Sequence, residues 1–571
     1  MNAPDLCRKG VVSTPAALAR WLARQALDAW TNARSSKALA AIRVLDPAVG
    51  EGALLAAVQE ELAARGLAPL SPDQFLGVDV RAEAVARARA AVRGRFLVGN
   101  ALLEAQPADR SADIVIANPP YVGARDLAAL TDGRSLIEYF GFPADLYEYF
   151  LRRSLVWARP GGVVAMLLPH SWTALVGKEP LRRLVLEHGL LMVARLPRAC
   201  FQRAFDPGAV VIGVGRVARG RTCTYADLYH AAPGCIPTLN LFGERPPDPG
   251  IACWSVDPRI YRAAPRAIVF APTRDNLLMQ RRFGRRIAGW TKHESLPSSS
   301  GLVWRPGRWV PLSRVACVAD VGIHSRNCRH KLFFARRDGR RLARLLQGAH
   351  VFPYVVRPDC PRARHRWVDV SYVPRPGVPG AGYGGRPSAR DEYWDWQGDP
   401  AVHRRPRRIL IRQSDDDLVA ALFEQNGRVH YTDNTLFTCW PREEALSAGL
   451  TYEYLVAYLN SPAVNRLYQF LSQERGVRQA QIKIGLLRSL PFRIPRPAEI
   501  DEVSRWCQEV ARAAAESRSV QTDAALARLN RVLRLHYEPD DRRQTQPVGE
   551  HSRPITAVCG GACRRSCRPG R

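Results

Sequence analysis

The run Asn118-Pro119-Pro120-Tyr121 holds the residue types that point most directly to a reaction. Two consecutive prolines remove two backbone donors and stiffen the turn. That leaves the carbonyls of Asn118 and Pro119 as acceptors, with the Asn118 amide oxygen beside them. A rigid cluster of acceptors followed by an aromatic face answers to an amino group on a flat ring. A plain turn needs only N-P or P-P. A second run, Val44-Leu45-Asp46-Pro47-Ala48-Val49-Gly50-Glu51-Gly52, reads as a strand entering a glycine-rich turn and then a helix. Glycines allow the sharp turn and a close approach of backbone to ligand, and a helix N-terminus offers free N–H groups. Asp46 and Glu51 are acidic and the loop has no Lys, so it suits a cationic or amine-bearing ligand better than a pyrophosphate. Asp79 ends a further apolar run, where an acid can accept hydrogen bonds from both hydroxyls of a ribose. The competing role for Asp79 is to cap a helix beginning near residue 82.

Positioning these residues requires a layered fold. Apolar patterning over 41–117 predicts strand ends at 43–45, 74–78, 95–98 and 113–117, with helices at 52–65 and 82–92. A helix over 144–159, a strand over 163–168, a helix over 179–188, a strand over 190–196 and a last strand pair near 209–216 follow. Strands alternating with helices imply a mostly parallel sheet covered on both faces. Ligands bind such sheets at the carboxyl ends of the strands, where the residues above fall.

D-P-A-x-G-x-G followed by N-P-P-Y resembles the adenine-specific N6 DNA methyltransferases, in the motif order of the gamma class (TaqI type), which carry a C-terminal target-recognition domain. Further segments share the resemblance: Lys9-Gly10-Val11-Val12-Ser13-Thr14-Pro15, Arg159-Pro160-Gly161-Gly162, Pro169-His170-Ser171-Trp172, and Asp206 to Ile212 after Phe201. Segments 407–412, 455–464 and 476–491 resemble recurring elements of the recognition domain. The resemblance covers 9–216 strongly and 290–495 loosely. It implies an α/β fold of the class I S-adenosylmethionine-dependent methyltransferase type, Rossmann-like with a mixed, mostly parallel sheet, plus a mixed α+β target-recognition domain. It implies S-adenosylmethionine as cofactor, held by Thr14, Asp46, Pro47, Ala48, Gly50, Gly52, Asp79, Asn100 and Ala101. Asn100 departs from the family, which has Asp there; an amide can still accept from an amino group and donate to a ring nitrogen. Catalysis falls to Asn118, Pro119, Pro120 and Tyr121, with Tyr121 and Phe201 stacking on a flipped-out adenine and Phe205 as the alternative to Phe201.

The 571 residues imply several domains, expected at 1–220 (catalytic), 221–290 (connecting), 291–500 (target recognition), 501–540 (C-terminal helices) and 541–571 (a basic, disordered tail). The stretch 357–400, rich in Pro, Gly and aromatics, reads as long loops, and helical pattern returns at 451–472 and 500–536. The net charge is +30, and 77 of the 83 basic residues are Arg, as a GC-rich coding bias alone would produce. The excess is uneven: residues 251–350 hold 20 basic against 5 acidic side chains. That clustering points to a polyanion partner, double-stranded DNA, with Arg281, Arg282, Arg285, Arg286, Arg326, Arg329 and Arg336 as phosphate contacts. A monomeric, cytoplasmic protein is expected, without export signal or membrane span, belonging to a restriction-modification or phage-defence system with a cognate endonuclease or defence subunit as a further partner. No metal site is expected; Cys559, Cys563 and Cys567 do not have zinc spacing. Methylation of RNA or of a protein glutamine, and a methyltransferase-like DNA-binding defence component that needs a partner, remain alternatives.

Overall fold

The computed structural model describes residues 12–32, 36–128, 131–201, 207–215, 222–239, 241–242, 251–291, 303–337, 342–373, 392–474 and 480–537. Asp206, Phe205 and the tail with its three cysteines lie outside the described residues. The chain divides into two compact bodies. The first holds the described residues up to Thr173 and Gly177–Arg262; the second holds Ala174–Val176 and the described residues from Ala263 on.

Among the described residues, the first body is built on nine strands: β1 (Val44–Asp46), β2 (Phe75–Asp79), β3 (Arg95–Val98), β4 (Ala112–Ala117), β5 (Ala158–Pro169), β6 (Leu190–Arg195), β7 (Pro207–Gly213), β8 (Cys223–Asp227) and β9 (Ala252–Val256). Their order is β3-β2-β1-β4-β5-β7-β6-β8-β9. The strands from β3 to β5 are parallel, with Leu45 opposite Leu76 and Val115 at the centre. β7 lies antiparallel between β5 and β6. The expected α/β sheet, mixed and mostly parallel, is therefore present. Every residue of β4 is buried, as a strand covered on both faces requires.

Among the described residues, the α-helices of this body are α1 (Ala16–Thr31), α2 (Ala53–Ala64), α3 (Ala82–Ala91), α4 (Ala124–Leu127), α5 (Thr131–Phe140), α6 (Leu146–Trp157), α7 (Glu179–His188) and α8 (Arg259–Arg262). Leu22 and Trp21 of α1, Leu55 and Val58 of α2 and Val85 of α3 form one apolar cluster with Ile114, Ile116 and Val211 of the sheet. Gly77 and Gly52 sit at close approaches between the strands and helices near the carboxyl ends of β1 and β2. A Cβ on Gly77 would lie 2.6 Å from the Phe96 ring and 2.9 Å from Val49, and one on Gly52 would lie 3.1 Å from the Ala88 backbone.

Three expectations are corrected. The strand pair near 209–216 is the single strand β7, because its two neighbours are the distant β5 and β6. The first body extends past residue 220, because β8 pairs with β6 and β9 with β8 in the same sheet. The segment 221–290 is accordingly no simple connection, and its end forms an 18-residue helix, Arg274–Thr291.

The second body contains two four-stranded sheets. One has the order Ala316–Ala319, Leu436–Pro441, Arg407–Arg412, Ala420–Glu424; the other Phe333–Phe334, Trp367–Val368, Ala343–Leu346, His430–Thr432. Tyr393–Trp396, in the stretch read as loops, is a strand paired with Ile323–Arg326. The helical patterns at 451–472 and 500–536 each resolve into two helices. Tyr452–Asn460 and Pro462–Ser472 break at Pro462, which has no N–H, and the Ser461 side chain caps the second by accepting from Val464 N. Pro497–Ala515 and Ser519–Tyr537 break around Ser517, at φ 58°.

Candidate active site

β1, β2 and β4 deliver the chemistry-bearing residues at their carboxyl ends. The chain leaves β1 at Asp46 and enters α2 through Gly50 (φ 53°) and Gly52 (φ 89°), left-handed conformations that glycine adopts without a Cβ penalty. The Asp46 side chain is fully buried. Its Oδ1 accepts from Ala48 N at 3.0 Å, while Oδ2 has no hydrogen-bond partner among the described residues. Burial, with a smaller contribution from Asp79, pushes its pKa up to about 8. Asp79 ties the loop to β2: Oδ2 accepts from Gly50 N at 2.9 Å, and Oδ1 from Arg81 N at 2.9 Å and Arg81 Nε at 3.2 Å. Asp79 does not cap α3, whose N-cap is Arg81. Asn100 Oδ1 accepts from Leu102 N at 3.0 Å, which holds the turn after β3.

Past the end of β4, Asn118 is held from two sides. Its Nδ2 donates to Val12 O at 3.0 Å and to Thr14 Oγ1 at 2.9 Å. Its Oδ1 accepts from the Tyr121 hydroxyl at 2.8 Å. Burial raises the pKa of the Tyr121 phenol, which stays a neutral donor. Pro119 is buried.

A cavity of about 240 Å³ joins these groups. Of the residues expected at the cofactor and the reaction, Thr14, Asp46, Pro47, Ala48, Gly50, Asp79, Asn100, Ala101, Asn118 and Pro120 line it. Gly52, Pro119 and Tyr121 are outside the lining; Gly52 instead begins α2, and Tyr121 reaches the site through Asn118. Phe201 departs from its expected place. It is 6% exposed and belongs to the apolar cluster of the first body, where the ring's large apolar surface is withdrawn from water. Among the lining residues, sequence reasoning missed Val80, Arg81, Leu127, Asp132, Leu136, Leu146 and Phe150. Most are apolar and read as core. Val80 has a visible signal only in three dimensions: it is 44% exposed, an apolar side chain at the mouth of the sheet.

The arginines expected on DNA separate into groups. Arg281, Arg285 and Arg286 are exposed on the helix Arg274–Thr291, and Arg282 on the same helix is half-buried. Arg286 lies over the Trp309 ring at 5.1 Å. Arg336 is exposed, and the Arg326 side chain lies outside the described ones. Arg329 is engaged within the second body: its Nη2 is 3.2 Å from the fully buried Asp433 carboxylate, and its guanidinium lies over Phe333. Gln347 Nε2 and the Thr435 backbone N–H also donate to this buried acid, and the Arg329 side chain stays 46% exposed while paired with it.

The fold and the cavity at its strand ends define a class I S-adenosylmethionine-dependent methyltransferase fold. Residues 76–193, from β2 to β6, match the family model described as Eco57I restriction-modification methylase. This segment includes Asp79, Asn100 and the Asn118–Tyr121 run. No curated protein matches the chain. Among solved structures, the type IIL restriction-modification enzyme MmeI in complex with DNA is similar at 12% identity and a TM-score of 0.57, over 94% of this chain and 77% of that one. A class I methyltransferase from Listeria monocytogenes is similar at 17% identity and a TM-score of 0.32, over 40% of this chain and 72% of its own. A type I restriction-modification methyltransferase subunit from Streptococcus thermophilus is similar at 19% identity and a TM-score of 0.31, over 38% of this chain and 47% of that one. At 12% identity the likeness to MmeI is one of fold. Among the described residues, no helix is long and apolar enough to cross a membrane.

Proposed function

We propose that the chain is a site-specific DNA adenine-N6 methyltransferase of the gamma class (TaqI type), using S-adenosylmethionine, with a target-recognition domain in the second body and a role in restriction-modification or phage defence. The observation that carries this reading is the Asn118 amide, fixed in orientation on the wall of the cavity that also holds Asp46 and Asp79. The family match over 76–193 supports it.

The residues present fit the cofactor. Asp46 Oδ2 is a buried oxygen on the cavity wall without a partner among the described residues, and it would take a hydrogen bond from a cationic or hydroxyl-bearing ligand. Asp79 would accept from a ribose, Val80 would offer an apolar surface to a ring, and Asn100 and Ala101 would border that ring. When bound, the cofactor supplies an electrophilic methyl group on sulfur.

Adenine N6 is a poor nucleophile, since its lone pair is delocalised into the ring. In the proposed mechanism Asn118 Oδ1 and the Pro119 carbonyl each accept one N–H. This draws the nitrogen towards tetrahedral geometry and aims its lone pair. Tyr121 packs on the flipped base. Transfer makes the nitrogen cationic and therefore acidic, so no strong base is required. Catalysis is orientation and preorganised electrostatics. Exposed Arg281, Arg285 and Arg286 would neutralise phosphates of the duplex.

The test is modification-sensitive sequencing of plasmid DNA from methylation-deficient cells expressing this chain, beside an Asn118→Ala control. N6-methyladenine confined to one motif and absent from the control is the expected result. Unmodified DNA from folded wild-type protein that binds S-adenosylhomocysteine would overturn the DNA reading.

A further inference from the structure

Both hydrogens of the Asn118 amide are committed within the protein, one to Val12 O and one to Thr14 Oγ1. A backbone carbonyl only accepts, so the end of the amide that faces Val12 must be nitrogen. Oδ1 is thereby turned to the opposite side, where Tyr121 donates to it. An amide oxygen has two acceptor positions, and Tyr121 takes one of them. The partners that set this orientation lie 106 and 104 residues away in the chain. They also line the cavity with Asp46 and Gly50. While accepting from Asn118, the Thr14 hydroxyl keeps its own proton to donate to an occupant of that cavity.

We propose that Thr14 is a positioning residue that joins the occupant of the cavity to the Asn118 amide, so that loading the cofactor tightens the acceptor that holds the substrate amine. This rests on the methyltransferase reading of the site. The coupling is reciprocal: a correctly held Asn118 also favours the bound cofactor. Val12 prevents the amide from flipping, and Thr14 sets how firmly it is held.

A double-substitution cycle tests this, with S-adenosylhomocysteine as the probe and titration calorimetry as the readout. The full-length proteins are wild type, Thr14→Val, Thr14→Ser, Asn118→Ala and the pair Thr14→Val with Asn118→Ala. Loss of one hydrogen bond should weaken binding roughly 3- to 10-fold in each of Thr14→Val and Asn118→Ala. The pair should bind no more weakly than the worse single variant, and Thr14→Ser should stay within about twofold of wild type. Effects that multiply in the pair would overturn the proposal, as would a Thr14→Ser protein as weak as Thr14→Val. A second readout uses methyl transfer to plasmid DNA: Thr14→Val should lower kcat about 10-fold or more at saturating cofactor, with KM for DNA little changed. A rise in the cofactor's KM alone, with kcat intact, would overturn the coupling. A coupled cycle in a protein that transfers no methyl to DNA would refute the DNA reading while upholding the role of Thr14. A wild-type protein that does not bind the probe refutes both.

Discussion

Asp46→Asn is the perturbation whose size can be worked from the structure. The Asp46 carboxyl is fully buried, its Oδ2 has no partner among the described residues, and burial pushes its pKa up to about 8 from 3.8. In the unfolded chain it ionises near the lower value, so between the two values the native state retains a proton that the unfolded state has released. A raised acid pKa contributes stability that is fully present below the unfolded pKa. That stability is lost as pH rises through the folded pKa, at about 1.4 kcal/mol per pH unit. Asp46→Asn keeps an oxygen for Ala48 N and does not titrate. The unfolding free energy of the variant minus that of wild type should therefore grow by about 4 kcal/mol from pH 5 to pH 8 and flatten above it. The assay is urea unfolding by tryptophan fluorescence across that range, with the first body's transition identified by its response to S-adenosylhomocysteine. Because that ligand would give Oδ2 a donor, adding it should shrink the pH dependence of wild type. Parallel stability curves, or a difference that narrows as pH rises, would refute the reasoning.

Gly77→Ala should destabilise the first body by about 1–3 kcal/mol, since its Cβ has Phe96 and Val49 within 3 Å; an unchanged melting temperature would contradict this. Ser461→Ala removes the side chain that accepts from Val464 N at a helix start and should cost about 1 kcal/mol, read as a lower urea midpoint of the second body. Replacing Arg281 and Arg285 together by Ala should weaken DNA binding and reduce the slope of log K against log salt by about 2. An unaltered slope would remove that helix from the phosphate contacts. Arg329→Ala should lower the stability of the second body, since it removes the positive charge paired with the buried Asp433 and leaves that acid only its neutral donors Gln347 and Thr435; an unchanged urea midpoint would contradict this.

Local features of the chain already carried much of the fold and part of the site. The apolar runs that became β1, β2 and β4, the glycines that turn the chain into α2, and the doubled proline after Asn118 all act over a few residues. Their conformational consequences can be read without knowing what they pack against. The helix Arg274–Thr291 was hidden for a local reason: its arginines and two glycines obscure the buried Met279, Phe283 and Ile287. Other features depend on pairings across long stretches of chain. β8 and β9 join the first sheet only because β6 offers an edge to pair with, and no periodicity in their own residues announces it. Burial gives Phe201 to the core, and charge pairing gives Arg329 to Asp433, where residue type alone offered a ligand contact for each.

The division is physical. Hydrogen-bonding capacity, charge and backbone restriction belong to single residues and short runs, so the groups available to react were legible in the chain. How those groups are held depends on contacts between distant segments. The Asn118 amide has two possible orientations, only one of which turns its accepting oxygen away from the Val12 carbonyl, and that choice falls to Val12 and Thr14, more than a hundred residues away. Asp46 is an ordinary acid in the unfolded chain and becomes a reluctant one only when the sheet and α2 close water out around it.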